Sequence, residues 1–105
     1  MSTALFVRHR AKPGKRAQVK RVWEEHVKPR AAANPDHLAY YFCFDEADAD
    51  VICVFQLYSS KEAMTDFLAG DWYPRYLSDN AKVVAEAPQV MPASLVWQKP
   101  ATPNL

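Results

Sequence analysis

The sequence predicts an α+β fold of the ferredoxin-like, split β-α-β type, in which a four-stranded antiparallel sheet forms a dimeric α+β barrel. Two observations predict it: the elements follow one another in the order β-α-β-β-α-α-β, and two neighbouring strands are apolar on both faces. A chain of 105 residues is long enough for one domain, 1–105. Residues 99–105 read as a loose C-terminal tail.

The first half of the chain predicts a strand and an amphipathic helix, followed by residues that end the helix. A β-rich run over residues 4–9 is followed by a turn signal at 12–15, Lys-Pro-Gly-Lys. Pro29 predicts that the following helix ends or kinks nearby, and Asn-Pro-Asp at 34–36 is a clear stop. Helical spacing predicts that Val19, Val22, Trp23 and Val27 form the buried stripe of this helix.

The second half predicts a β-hairpin, two helices and a final strand. Two apolar runs, 38–44 and 51–58, surround a short acidic loop and read as the hairpin. Ser59 and Glu62 have the spacing of a capping box for the next helix, which Gly70 would end. A further helix would begin at an Asp71 cap and end at Pro88. The last strand, Val90 to Trp97, contains Pro92 and therefore lies at an edge or a bulge.

The hairpin strands indicate that a second copy of the chain covers part of the sheet. Leu38, Tyr40, Phe42 and Phe44 alternate with Ala39, Tyr41 and Cys43, and the next strand is apolar on both faces as well. Helices can cover one face only, and half a dozen large side chains left in water would forfeit about 10 kcal/mol. We therefore expect a two-fold homodimer. The sequence leaves open which face meets the partner.

Charge and composition exclude several classes of function. Thirteen basic residues oppose twelve acidic ones, so we expect no nucleic-acid partner and no membrane partner. A basic stretch from Arg8 to Arg21 reads as a solvated helix face, with phosphate binding as the alternative. The sequence shows no signal peptide and no bilayer-spanning run, which predicts a cytoplasmic protein with Cys43 and Cys53 as reduced thiols.

The residues that remain for chemistry are aromatic and polar. His9, His26 and His37 lie in different elements without neighbouring metal ligands, and Gly14 and Gly70 alone make no phosphate loop. We therefore expect no metal and no nucleotide cofactor. The candidate set for a site is His9, Tyr40, Trp72, Tyr73, Tyr76 and Asn80.

These candidates suit the oxidation of an aromatic compound by O2 without a cofactor. Trp72, Tyr73 and Tyr40 would bind a flat substrate. His9 would take its phenolic proton as a base, and Tyr76 or Asn80 would donate to a substrate oxygen. Each of these aromatic and buried residues is equally compatible with plain packing in the core. A cavity of about 300 Å³ or more with His9 or Tyr76 on its wall would support chemistry.

The sequence resembles the antibiotic biosynthesis monooxygenase superfamily from Ala4 to about Trp97. Lys12 to Lys15 after the first strand, and Pro35 before a strand carrying Tyr40, are shared features. Residues 56–63, Gln-Leu-Tyr-Ser-Ser-Lys-Glu-Ala, resemble the family signature Glu-x-Trp-x-Ser-x-Glu-Ala. The resemblance implies a dimeric α+β barrel with a pocket between sheet and helices. It implies a quinol monooxygenase, a haem-degrading enzyme or a member without assigned activity.

The departures from the family pattern narrow these implications. Gln56 stands where Glu is usual and Tyr58 where Trp is usual. Phe67 and Trp72 occupy places where members often carry histidines, which argues against haem. The leading hypothesis is a cofactor-independent monooxygenase or oxidase of a small aromatic or quinol-like compound. The alternatives are a small-carbonyl isomerase and a ligand-binding or stress-response dimer without turnover.

Overall fold

The computed structural model describes residues 1–100, which form one sheet and four helices. Of the predicted tail, residues 101–105 lie outside the described part. The elements in chain order are β1 (Thr3–Arg10), α1 (Arg16–His26), α2 (Lys28–Ala33), β2 (His37–Phe44), β3 (Val51–Tyr58), α3 (Lys61–Leu68), α4 (Tyr73–Ala81) and β4 (Gln89–Ser94).

The sheet is antiparallel throughout, with the strand order β2-β3-β1-β4. The two central strands are β3 and β1, and the hairpin partner β2 and the last strand β4 form the edges. This order confirms the predicted ferredoxin-like α+β fold and the edge position of the strand that contains Pro92.

The helices pack on one face of the sheet. Ile52 and Val54 of β3 pack with Val19 of α1 and with Val84, and Leu5 of β1 packs with Met64 of α3. Because side chains alternate along a strand, this face also receives every second residue of β1 and β2. Three of these residues are His9, Tyr40 and Phe42.

The opposite face carries large apolar side chains that no helix covers. Phe6, Tyr41 and Met91 are 42%, 61% and 51% exposed. Phe55 lies between the first two, with ring centroids 5.2 Å from Phe6 and 6.0 Å from Tyr41. The apolar character that the sequence predicted for both faces therefore leaves an aromatic cluster exposed, which we call the open face.

Several predicted boundaries were wrong by a few residues. Pro29 does more than end the first helix, because it lies in the first turn of a separate helix, α2. The α3 cap is Ser60, whose Oγ accepts from the Ala63 amide at 3.0 Å. Ser59 does not cap, because its Oγ donates to Asp36 Oδ1 at 2.7 Å and its amide donates to Asp36 O at 2.9 Å, at the end of β3.

The last third of the chain differs from the prediction in three places. Asp71 caps nothing, since α4 begins one residue after Trp72 without a side-chain cap. The helix ends at Ala81 rather than near Pro88, and β4 ends at Ser94 rather than at Trp97.

In β2, a register shift between His37 and Ala39 moves Leu38 out of the alternation and leaves it 54% exposed.

Part of the basic stretch is structural. The Arg16 guanidinium donates to the carbonyl oxygens of Asp45, Asp48 and Val51 at 3.0, 3.1 and 3.3 Å. It also lies 4.0 Å from the centroid of the Phe44 ring. Arg16 thus holds the β2–β3 loop and belongs neither to a solvated face nor to a phosphate site.

Two further expectations concern the cysteines and the membrane. Cys43 and Cys53 face each other in the register of β2 and β3, as their symmetric placement around the loop predicted, and both are free thiols. None of the helices within residues 1–100 is long and apolar enough to cross a membrane.

Candidate active site

A cavity of about 250 Å³ lies between the sheet and the helices. The four strands supply its floor, and α3, α4 and Val27 between α1 and α2 supply its roof. This volume is somewhat smaller than the 300 Å³ or more that we expected of a catalytic cavity, but both His9 and Tyr76 are on its wall. A space of this size suits a molecule of one or two rings.

Aromatic rings form the helical side of the cavity. Trp72 packs edge-on against Phe67 and Tyr73, with ring centroids 5.1 and 5.4 Å away, and Tyr73 continues to Tyr76 at 5.8 Å. Gly70 makes room for this arrangement, since a Cβ there would overlap Trp72 Nε1. The wall offers ring faces and edges on which a flat ligand would stack.

The tyrosine hydroxyls around the cavity stay protonated at neutral pH. Burial raises the pKa of Tyr40 to about 12, and its oxygen accepts from Trp23 Nε1 at 2.8 Å. Burial also raises the pKa of Tyr58, Tyr73 and Tyr76. Charge repulsion from Tyr40 and Tyr73 further raises the pKa of Tyr58 and Tyr76. These phenols are therefore hydrogen-bond donors rather than bases.

His9 is almost completely buried and has one weak hydrogen-bonding partner in the part of the chain that the structure describes. Its Nδ1 lies 3.5 Å from Asn80 Nδ2, and desolvation by burial lowers its pKa to about 4. His9 is therefore neutral at pH 7. With Asn80 Nδ2 donating to Nδ1, the ring proton is on Nε2. The Asn80 Oδ1 atom is buried without a partner among the described residues.

A second polar group, which the sequence analysis did not select, lies at the other end of β3. Gln56 is 5% exposed and lines the cavity. Its Oε1 accepts from the Tyr58 hydroxyl and lies 3.0 Å from His37 Nε2. On the other side of the His37 ring, Nδ1 lies 3.0 Å from Asn34 Nδ2. Burial lowers the pKa of His37, against the opposing influence of Gln56 and Asp36.

The structure brings most of the predicted site residues to one place. His9, Tyr40, Trp72, Tyr73 and Tyr76 line the cavity. Asn80 lies behind His9 and does not line it. The roles given to these residues stay predictions.

Gln56 and His37 were missed, although the sequence contained a signal for the first. Gln56 is the one uncharged polar residue in the otherwise apolar run of β3, on the face shared with Ile52 and Val54. Such a residue must find partners when it is buried. His37 precedes the predicted start of its strand, and only the register, which pairs it with Tyr58, reveals its position.

The remaining histidine has a structural role. His26 Nε2 lies 2.8 Å from Asp79 Oδ2, which joins α1 to α4 across the roof of the cavity. Hydrogen bonds from His26 and Lys82 lower the pKa of the Asp79 carboxyl. Within residues 1–100, no three His, Cys, Asp or Glu side chains gather as a metal site requires.

Comparison with known proteins assigns the chain to a family. The family model for antibiotic biosynthesis monooxygenases matches residues 3–77. The chain therefore belongs to the antibiotic biosynthesis monooxygenase family. No curated protein matches the sequence.

Solved structures show the same fold at low sequence identity. Rv0793 from Mycobacterium tuberculosis is 16% identical, over 93% of this chain and 98% of that one, with a TM-score of 0.81. A protein from Caulobacter crescentus CB15 that carries the family name is 20% identical, over 91% of both chains, with a TM-score of 0.82. NE2512 from Nitrosomonas europaea, of unknown function, is 22% identical over 96% and 95%, with a TM-score of 0.78.

Proposed function

We propose that this protein oxidises a small aromatic or quinol-like compound with O2 and without a cofactor, as an oxidase or monooxygenase. The observation that carries the proposal is the cavity itself, about 250 Å³ in volume, aromatic on its helical side and bordered by His9. Family membership supports monooxygenase chemistry at the level of the class. A cytoplasmic location stays a prediction.

The cavity suits the two demands of this chemistry. An aromatic wall formed by Trp72, Tyr73 and Tyr76 would hold the ring of the substrate, and protonated phenols would donate to its oxygens. In the oxidase reaction a quinol loses two electrons and two protons to O2, which gives a quinone and H2O2. In the monooxygenase reaction the quinol itself supplies the electrons and protons, so that one oxygen atom enters a hydroxyquinone product and the other leaves as water.

The base role of His9 sets a condition on Asn80. With Asn80 Nδ2 toward the ring, His9 carries its proton on Nε2 and presents a donor rather than a base. If the Asn80 amide is rotated by 180°, Oδ1 accepts from Nδ1–H, and Nε2 is free to take a substrate proton. His9 as a base therefore requires the second orientation.

Oxygen uptake with a hydroquinone tests the proposal. With 1,4-dihydroxynaphthalene we expect O2 consumption well above that with heat-denatured protein, and no quinone under argon. His9→Gln, which keeps a polar side chain but cannot act as a base, should lower the rate by about 100-fold. Equal rates of product formation in air and under argon would remove the proposal. H2O2 yield and ¹⁸O incorporation separate oxidase from monooxygenase.

We further propose that the open face joins two copies of the chain. Phe6, Phe55, Tyr41 and Met91 form a continuous apolar surface on a rigid sheet, and a second copy offers the same surface around a two-fold axis. Sedimentation at micromolar concentration should show a dimer. Phe55→Glu should give a monomer, whereas Ser78→Glu, on the exposed side of α4, should not. A stable wild-type monomer would contradict this.

A binding protein without turnover is the second candidate, and one observation favours it. The described wall of the cavity contains no Asp, Glu, Lys or Arg, and its histidine has a pKa of about 4. A wall of this kind binds an apolar ligand without activating it. Unaltered ligand recovered from the purified protein, together with no O2 consumption, would favour this function.

A further inference from the structure

We propose that the side-chain NH2 of Gln56 is the ligand-binding donor of the cavity, and that the ligand carries a carbonyl or oxyanion oxygen that accepts from it. The inference deepens the proposed function, because it concerns the ligand class of the same cavity. It depends on a series of hydrogen bonds in which each group fixes the orientation of the next.

The series begins at a backbone amide, whose polarity is certain. The Asp36 N–H donates to Asn34 Oδ1 at 3.1 Å. This bond fixes the orientation of the Asn34 amide, because a backbone N–H requires an acceptor. Asn34 Nδ2 therefore faces the His37 ring, 3.0 Å from Nδ1.

The orientation of Asn34 determines the tautomer of His37. Asn34 Nδ2 is a donor, so His37 Nδ1 must accept and carries no proton. The proton of the neutral ring is then on Nε2, which makes Nε2 a donor. Its partner, 3.0 Å away on Gln56, must be an acceptor, and hence the carbonyl oxygen Oε1.

The Tyr58 hydroxyl supports the same orientation of Gln56. It donates to the same Oε1 atom. The rotated amide would instead place NH2 between a hydroxyl and a ring nitrogen that already carries its proton. Two donors, Tyr58 of β3 and His37 of β2, therefore hold Oε1, and no residue among 1–100 uses the hydrogen-bonding capacity of the NH2 group.

The unused NH2 group borders the cavity. Gln56 lines it, and no residue among 1–100 accepts a hydrogen bond from its Nε2. That nitrogen is not among the fully buried atoms without a partner in the described chain, so it keeps some accessible surface on a residue that lines the cavity. A donor fixed in an otherwise apolar wall selects ligands that supply an acceptor, because an unpaired donor there costs binding energy.

Ligand affinity under argon tests the inference without any turnover. The probes are 1-tetralone and tetralin, which share a bicyclic frame and differ by one carbonyl oxygen, and quenching of tryptophan fluorescence reports binding. Gln56→Met removes the NH2 and the carbonyl together. Gln56→Glu keeps an acceptor for Tyr58 and His37 and loses the NH2. The matched control is Gln89→Met, the same change on exposed β4 outside the cavity.

We expect the ratio of tetralin to tetralone dissociation constants to fall by about tenfold in both Gln56 variants and to stay unchanged in Gln89→Met. A ratio that stays at the wild-type value in either folded Gln56 variant overturns the inference. If Gln56→Met does not fold, Gln56→Glu at pH 8 decides alone. Failure of the oxygen-uptake experiment leaves this result untouched, since O2 is absent here.

Discussion

At each end of the cavity a histidine lies next to an amide side chain, and the two pairs are built in opposite ways. At the Gln56 end, His37 has partners at 3.0 Å on both ring nitrogens, and Gln56 Oε1 has two donors. At the Asn80 end, His9 has one contact at 3.5 Å, and Asn80 Oδ1 has none among residues 1–100.

This difference separates a fixed end from an adjustable end. Hydrogen bonds at the Gln56 end specify one orientation of each group, which presents a permanent donor to the cavity. At the Asn80 end either amide orientation leaves one polar atom unpaired, so neither is strongly favoured. A group that has to change its protonation during a reaction benefits from the second arrangement, and a group that only binds benefits from the first.

The largest expected effect comes from replacing each amide by an apolar side chain of similar shape. Gln56→Met leaves the buried Tyr58 hydroxyl and the His37 N–H without their acceptor. It should lower the free energy of unfolding by about 3 kcal/mol. Asn80→Leu removes a group that is already poorly paired and should change it by less than about 1 kcal/mol. Urea unfolding at pH 7 measures both. Equal losses would contradict the distinction between the ends.

The pH dependence of stability should come mainly from the adjustable end. The pKa of His9 is about 4 in the folded protein and about 6.5 in the unfolded chain. Between these values the unfolded chain binds a proton that the folded protein does not. Stability is therefore complete above pH 6.5 and falls as the pH decreases toward 4.

The size of this loss can be measured against a variant that does not titrate. From pH 7 to pH 5 the His9 contribution should fall by about 2 kcal/mol. Urea unfolding of His9→Gln should show a loss smaller than that of the wild type by this amount. His37→Gln is the comparison at the other end. There the histidine is partly exposed and has two hydrogen bonds, so its contribution to the pH-dependent loss of stability should be smaller. A wild-type pH slope that persists in His9→Gln would contradict the assignment.

The sequence predicted the fold because the fold depends on pattern. Both runs of the hairpin, the edge position of the Pro92 strand and the stripe that contains Trp23 follow from spacing, and each is confirmed. The errors occurred where local signals compete. Ser59 and Ser60 are adjacent candidates for one cap, and the bonds that the Ser59 hydroxyl and amide make to Asp36 decide between them.

The candidate site was predictable in part. Aromatic residues at helical spacing, such as Trp72 and Tyr76, indicated a shared face, and the cavity lies beside it. The Gln56 end was not predictable, because His37 and Tyr58 are 21 positions apart in the sequence and meet only through the β2–β3 register with its shift after His37. A turn residue such as Asn34 gives no sign in the sequence that its amide orients a histidine.

The smallest expected effect concerns the start of the hydrogen-bond series. Asn34→Ala removes the acceptor for the Asp36 amide and the donor to His37 Nδ1, both on a partly exposed turn, and should cost about 1 kcal/mol in unfolding free energy. The histidine ring nitrogens, observed by ¹⁵N NMR, give a more specific readout than stability.

In the wild type we expect His37 with its proton on Nε2. In Asn34→Ala we expect some of the Nδ1–H form, because the donor that excluded it is gone. The spectrum of His9 should not change, since its one hydrogen-bonding partner within residues 1–100 is Asn80. A His37 signal that is unaltered in the variant would show that Gln56 and Tyr58 alone fix the ring, and the orienting role of Asn34 would then be wrong.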